Sequence, residues 1–190
     1  SHISVSGVVA LARNAKGMAE FARRPVPVKP SQAARRGTVM HEWIEEFYET
    51  RSRLPEIEEP GRGDEDLDDA FDLATVKEQF TQTPWAQRQL YAAEIPVETS
   101  IDDVVVRGRI DAVFGRAEDG RDLTAADNHR WELIPADERD AQMQRCTWDL
   151  VDWKTGAVPS GKDLEQKQLQ LAVYRLAFHR LYGIPLDQIE

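Results

Sequence analysis

Apolar residues recur along this chain with two different periods, and the change between them divides it. From Thr38 to Thr50, Val39, Met40, Trp43, Ile44, Phe47 and Tyr48 fall three and four apart and form one broad stripe on a helix. Upstream, Ser6 suits the N-cap of a short apolar helix through Leu11, and Asn14 that of a second through Phe21. The three prolines of Arg24-Pro-Val-Pro-Val-Lys-Pro30 then force an extended connector, because each fixes φ and removes a donor. A Pro/Gly/acid segment over 55–66 interrupts the helical pattern, which resumes from Leu67 to Phe80, with a shorter helix after Pro84.

Beyond Tyr91 the period shortens to two. Residues 94–101 alternate, Asp102-Asp103 suits a turn, and Val104 to Phe114 is β-branched and alternating, so a meander is expected. A third strand is expected over 148–154. Residues 115–147 are polar and weakly periodic, and far exceed the ~2 to 5 residues of a hairpin loop. They read as an insertion, with a short strand around Trp131–Ile134. Ser160 and Asp163 resemble a capping box for a helix over 162–182, closed by Gly183 and Pro185. That helix is apolar on most sides and should lie on the sheet. The 190 residues therefore predict one α/β domain over 1–190, with a mainly helical N-terminal part and the insertion at about 115–147.

Composition narrows the chemistry. With 41% hydrophobic and 31% charged residues, the chain has no apolar run near the ~18 residues that a membrane span requires, so no membrane role is expected. Cys146 is the single cysteine, which excludes an internal disulfide, a four-thiolate zinc site and a cysteine-ligated iron-sulfur cluster, and a reducing, cytoplasmic setting is expected. The net charge of −10 argues against clinging to nucleic acid by charge alone. Its distribution weakens that objection. Residues 1–40 carry Arg13, Lys16, Arg23, Arg24, Lys29, Arg35 and Arg36 against Glu20, a local +6, which leaves −16 for the rest. Nine carboxylates between Glu56 and Asp72 face only Arg62, a run that reads as a solvated loop and helix start.

On a strand, alternate residues share a face, so Asp152 and Lys154 project together while Val151 and Trp153 point the other way. In the preceding strand Arg107, Arg109 and Asp111 share one face, and Val106, Gly108, Ile110 and Ala112 the other. Two carboxylates on adjacent strands make a hard-oxygen site of the kind that holds magnesium or manganese. Asp-x-Lys alone says little, since an exposed strand with a salt bridge also explains it. On a helical wheel His41 lies at the margin of the Val39/Trp43/Phe47 stripe, where a lone histidine is usually structural or exposed. Gln170 and Tyr174, four apart, share a helix face, as a hydrogen-bonded core pair also would. His129 and His179 read as structural or surface residues, Cys146 as a small core or loop residue, and the five tryptophans as core.

The order of these residues carries a resemblance. Asp111 sits in Gly-Arg-Ile-Asp-Ala-Val-Phe, Asp152 and Lys154 in Trp-Asp-Leu-Val-Asp-Trp-Lys-Thr-Gly, and Gln170 and Tyr174 in Gln-Leu-Ala-Val-Tyr. His41 lies in Arg-Gly-Thr-Val-Met-His-Glu-Trp, and Glu94 opens the first strand. Together these motifs resemble the PD-(D/E)xK nuclease superfamily, and within it the RecB-type nucleases. The opening Ser-Val-Ser-Gly-Val-Val, with Phe-Ala-Arg-Arg-Pro-Val-Pro, is similar to the entry of the nuclease domain behind UvrD-type motors in AdnAB-like helicase-nucleases.

The resemblance implies a small mixed central sheet flanked by helices, in a domain excised from a larger chain. It implies Mg²⁺ or Mn²⁺ held by His41, Asp111, Asp152 and the Trp153 main-chain carbonyl. Lys154 would assist catalysis, Glu94 would support the metal, and Gln170 and Tyr174 would support the site. It further implies hydrolysis of DNA phosphodiesters in repair and recombination at the nucleoid. Single strands would be delivered by a helicase motor in the same chain, with a second helicase-nuclease subunit as a further partner. The alternative is a catalytically silent, nuclease-like docking or strand-guiding module. The wide interval between Asp111 and Asp152 departs from the family pattern.

Overall fold

The computed structural model describes residues 2–13, 32–53, 73–156 and 158–190. The helix expected from Asn14, the 24–30 connector and the acidic run of 56–72 lie outside them, as do Lys16, Arg23, Arg24 and Lys29 of the basic N-terminal segment. The described elements are β1 (His2–Ser4), α1 (Val5–Arg13), α2 (Gln32–Arg53), α3 (Leu73–Thr81), α4 (Pro84–Gln87), β2 (Ala92–Ile101), β3 (Val104–Arg116), α5 (Ala125–Glu132), α6 (Ala136–Met143), β4 (Thr147–Val151), α7 (Gly161–Tyr182) and a 3₁₀ turn (Leu186–Gln188). Among the described residues no helix is long and apolar enough to cross a membrane.

The β2–β3 hairpin organises the sheet. Asp102 and Asp103 both adopt left-handed backbone, with φ of 47° and 63°, and such a two-residue turn matches the twist of the strands it joins. From it the strands pair antiparallel from Ile101↔Val104 out to Ala92↔Val113. The other edge of β3 is divided. β1 pairs parallel with Val105–Arg107, and β4 pairs antiparallel with Ala112–Arg116. The result is a small mixed sheet with helices on both faces. Ile189 adds a single parallel bridge to Trp148 on the far side of β4.

Two apolar cores flank this sheet. On one face Val106, Ile110, Val113, Trp148 and Leu150 pack against Val5 of α1 and Val173, Tyr174, Ala177 and Phe178 of α7. On the other, Ala112 and Phe114 pack against Met40, Ile44 and Tyr48 of α2, with Leu73 and Phe80 of α3. The α2 stripe is therefore the one expected, on a helix that starts six residues earlier and ends three later. Arg88 is held between the sheet ends by ion pairs with Asp149 and Asp122, its guanidinium stacked over Trp85 and Phe114.

Several local expectations are corrected. The first helix starts at Val5, and the cap is Ser4, whose Oγ accepts the Gly7 N–H at 3.0 Å, rather than Ser6. Residues 131–134 are not a strand, because Trp131 lies within α5 and packs, buried, against Tyr91 at 5.9 Å between ring centroids. The insertion thereby supplies core residues, with Leu123 and Met143 fully buried beside Trp131. Ser160 precedes α7 but makes no side-chain cap bond. The capping box forms instead at α5, where Thr124 and Asp127 cap one another. Finally, β4 ends at Val151, so Asp152 and Lys154 lie beyond the strand that was expected to carry them.

Asp127 holds the insertion in place. Its buried carboxylate accepts from Arg121 at 2.9 Å, from Arg130 at 2.6 Å and from the Thr124 N–H at 2.8 Å. The Arg121 hydrogen bond, more than any other contact, holds the Asp127 pKa far below the usual carboxylate range. A depressed folded-state pKa contributes stability above the unfolded value and loses it as pH falls toward the folded value. Asp127→Ala is thus expected to cost about 2 kcal/mol at pH 7, from the cap and the charge-assisted bonds together. In urea unfolding across pH, the gap to wild type should close progressively below pH of about 4. A gap that stays constant down to pH 2 would contradict this account.

Candidate metal centre

The site forms where the sheet reverses its facing. Ala93 and Ala112 are cross-strand partners on the α2 side, and Ile95 and Ile110 are partners on the α7 side. Strict alternation would put both pairs on one face. Between them stand Glu94 and Asp111, and Glu94 takes a left-handed backbone with φ of 53°. One strained residue therefore lets Asp111 and Ala112 both face α2, whereas alternation placed Ala112 opposite Asp111.

The α2 stripe supplies the third group. Met40 and Ile44 are buried against the sheet, and His41, one position around the helix, is half-buried over its end. Its Nε2 lies 3.1 Å from the Trp153 carbonyl oxygen and 3.5 Å from Asp111 Oδ2. One ligand atom each from His41, Glu94 and Asp111 can be chosen so that all lie within 4.8 Å of one another. The hollow they line with Ile44, Ala112 and Trp153 has a volume of about 10 Å³, the room one water-sized sphere needs. An imidazole with two carboxylates suits a hard divalent cation such as Mn²⁺ or Mg²⁺.

The electrostatics agree with that donor set. Burial, ahead of all other causes, raises the Asp111 pKa, with the Asp152 charge adding to it and His41 opposing it. Glu45, one turn beyond His41, is likewise raised by burial first and then by the Glu94 charge. Carboxylates crowded into one hollow repel, and a cation between them removes the repulsion. Glu94 has a second partner in Arg109, whose guanidinium donates to its Oε2 at 3.0 Å.

Asp111 also explains where β4 stops. Its Oδ2 accepts the Trp153 N–H at 2.8 Å, so a side chain replaces the next main-chain acceptor of the ladder. The chain leaves the sheet there, which turns the Trp153 carbonyl to His41 and the Asp152 side chain to α7. Asp152 pairs with Lys154 Nζ at 2.8 Å and lies 3.5 Å from the Gln170 amide, which also reaches the Tyr174 hydroxyl at 3.3 Å. Gly108 makes room for Tyr174, because a Cβ there would sit 2.8 Å from the tyrosine ring.

The expected residues thus form two adjoining groups. His41, Glu94, Asp111 and the Trp153 carbonyl converge, while Asp152, Lys154, Gln170 and Tyr174 gather around the end of β4. Asp152 is not among the three mutually close ligands; its carboxylate is turned to Lys154. The two groups are near enough that Asp111 feels the charges of both Asp152 and Lys154. His129 and His179 lie elsewhere, and His179 Nδ1 meets the Ile184 carbonyl at 2.6 Å beside the helix end. Two residues near the site were not singled out in the sequence. Glu45 had the signal of its four-residue spacing from His41, and Lys167 lies three before Gln170 on the same helix face.

No protein-family model matches the chain, and no curated protein matches it either.

The strained backbone at Glu94 makes a test of what the residue is for. Left-handed backbone costs a non-glycine residue about 1–2 kcal/mol, part of which glycine recovers. Glu94→Gly should therefore unfold in urea about 1 kcal/mol later than Glu94→Ala, while both lose affinity for Mn²⁺ in calorimetric titration. Glycine no more stable than alanine would mean that Glu94 is not strained.

Proposed function

We propose that the chain is a divalent-metal-dependent phosphodiesterase acting on DNA, of the PD-(D/E)xK type and closest in its motifs to RecB-type nucleases. The observation that carries this reading is the convergence of His41, Glu94 and Asp111 beside a carboxylate–ammonium pair, Asp152–Lys154, at the end of the neighbouring strand. His41, Glu94, Asp111 and the Trp153 carbonyl would hold the ion, with Asp152 at its border. When bound, Mg²⁺ or Mn²⁺ would supply positive charge at the scissile phosphate and acidity to a water molecule.

The chain's own residues do the remaining work. Lys154, with 44% of its side chain exposed, presents an ammonium at the mouth of the site, where it can stabilise charge building on phosphate oxygens. Asp152 orients that ammonium from below, and Gln170 holds Asp152. Tyr174 is a poor proton donor, since burial raises its pKa, so its part is to position Gln170. A net charge of −10 makes unaided capture of DNA weak. The reading therefore includes a helicase motor, in the same chain, that delivers single strands.

Cleavage of a single-stranded oligonucleotide in a Mn²⁺ series tests this directly. Wild type is expected to cleave, and Asp111→Ala, Asp152→Ala and Lys154→Ala each to lose at least about 100-fold in rate. His41→Ala should shift the Mn²⁺ dependence to higher concentration. Equal cleavage by all variants would identify a contaminant, and no Mn²⁺ binding at millimolar concentration would leave a strand-guiding module instead.

A further inference from the structure

Helix α7 turns a second amine toward the Asp152–Lys154 pair. Lys167, Gln170 and Tyr174 recur at i, i+3 and i+7 and form one stripe. That stripe faces the end of β4, as the Gln170 contacts with Asp152 and with Tyr174 establish. One turn nearer the helix start, on the face that meets Asp152, Lys167 is half-buried, and the Lys154 charge acts on it.

Two amines therefore crowd one carboxylate. Asp152 is already committed, to Lys154 at 2.8 Å and to the Gln170 amide. Asp163, one turn before Lys167, is exposed and offers only a distant countercharge. Burial, followed by the Lys154 charge, presses the Lys167 pKa downward. Within the folded chain this proximity of like charge is a cost, because like charges repel most where water is thin. An anion received between the amines would turn the cost into attraction. The corner adjoins the candidate metal ligands, where on the phosphodiesterase reading the anion at hand is the backbone of a nucleic-acid strand. Lysine, a compact charge on a flexible stem, suits a phosphate oxygen.

We propose that Lys167 and Lys154 form a phosphate cradle in which Lys167 grips a non-bridging oxygen of the phosphate next to the one attacked. This rests on the phosphodiesterase reading and adds to it a residue that sets the strand's register. Lys167 is a binding and positioning residue. Its loss weakens the hold on the strand, whereas loss of Lys154 slows the reaction.

The test is anisotropy of a labelled single-stranded DNA oligonucleotide with the full chain, in Ca²⁺ across a salt series. Lys167→Ala and Lys167→Gln should bind roughly tenfold more weakly than wild type at low salt, as expected for one charge-assisted contact. The slope of log affinity against log salt should become shallower by about 0.7, the value of one phosphate contact on a single strand. A fold defect alone would not change that slope. Lys167→Arg should restore affinity, and Lys162→Ala, exposed near the start of the same helix, should match wild type. Wild-type affinity and slope in both Lys167 variants overturns the cradle; if Mn²⁺-dependent cleavage still requires Asp111, the phosphodiesterase reading stands without it. A wild-type chain that neither binds nor cleaves the strand overturns both.

Discussion

The short bond from the Trp153 N–H to Asp111 Oδ2 is the joint on which the site turns. A strand normally continues while its neighbour offers a main-chain acceptor. Here a carboxylate takes that role, and β4 gives up its ladder at Val151. The backbone released by that exchange aims one carbonyl at His41 and one side chain at α7. A single side chain thus ends a strand, turns a carbonyl toward His41 and stays within the candidate metal group itself. A backbone acceptor could have ended nothing, and a solvent-exposed aspartate would have left the Trp153 N–H to water.

That joint has a price in local regularity and charge. The sheet can bring both Asp111 and Ala112 to the α2 face only because Glu94 accepts left-handed backbone opposite them. Burial above all, with the Glu94 charge added at Glu45 and the Asp152 charge at Asp111, raises the proton affinity of those two carboxylates. Neither feature helps the chain fold. Strain and like charge held in one place by two well-packed cores are the pattern of a site built for a ligand.

The cores supply the rigidity that this requires. On the α2 side, Trp43, Phe47, Phe80, Phe114 and Trp153 meet edge to face, so the helix that carries His41 is fixed relative to the strand that carries Asp111. On the opposite side Trp148 and Phe178 bind α7 to the sheet, which fixes Gln170 under Asp152. The insertion contributes through Trp131 and Met143 rather than hanging from the surface: the capping box at Thr124 starts α5, which buries Trp131, and Met143 is buried at the end of α6.

Local patterning alone was enough for the elements whose signals are short-range. The α2 stripe, the Asp102-Asp103 turn and the Gly183 helix stop are each dictated by side-chain spacing or by backbone freedom within a few residues. The candidate residues were legible too, since His41, Glu94, Asp111, Asp152, Lys154, Gln170 and Tyr174 stand in recognisable order. What alternation could not foresee is the reversal at Glu94 and Asp111, or that Asp152 would leave the strand and turn from His41 toward α7. The first depends on how β2 pairs with β3 around Glu94 and the second on a hydrogen bond between residues 42 apart in the chain, and periodicity carries no information about either. Lys167 belongs to the same class: its meaning arises only once helix packing sets it against Lys154, a neighbour that no local pattern names.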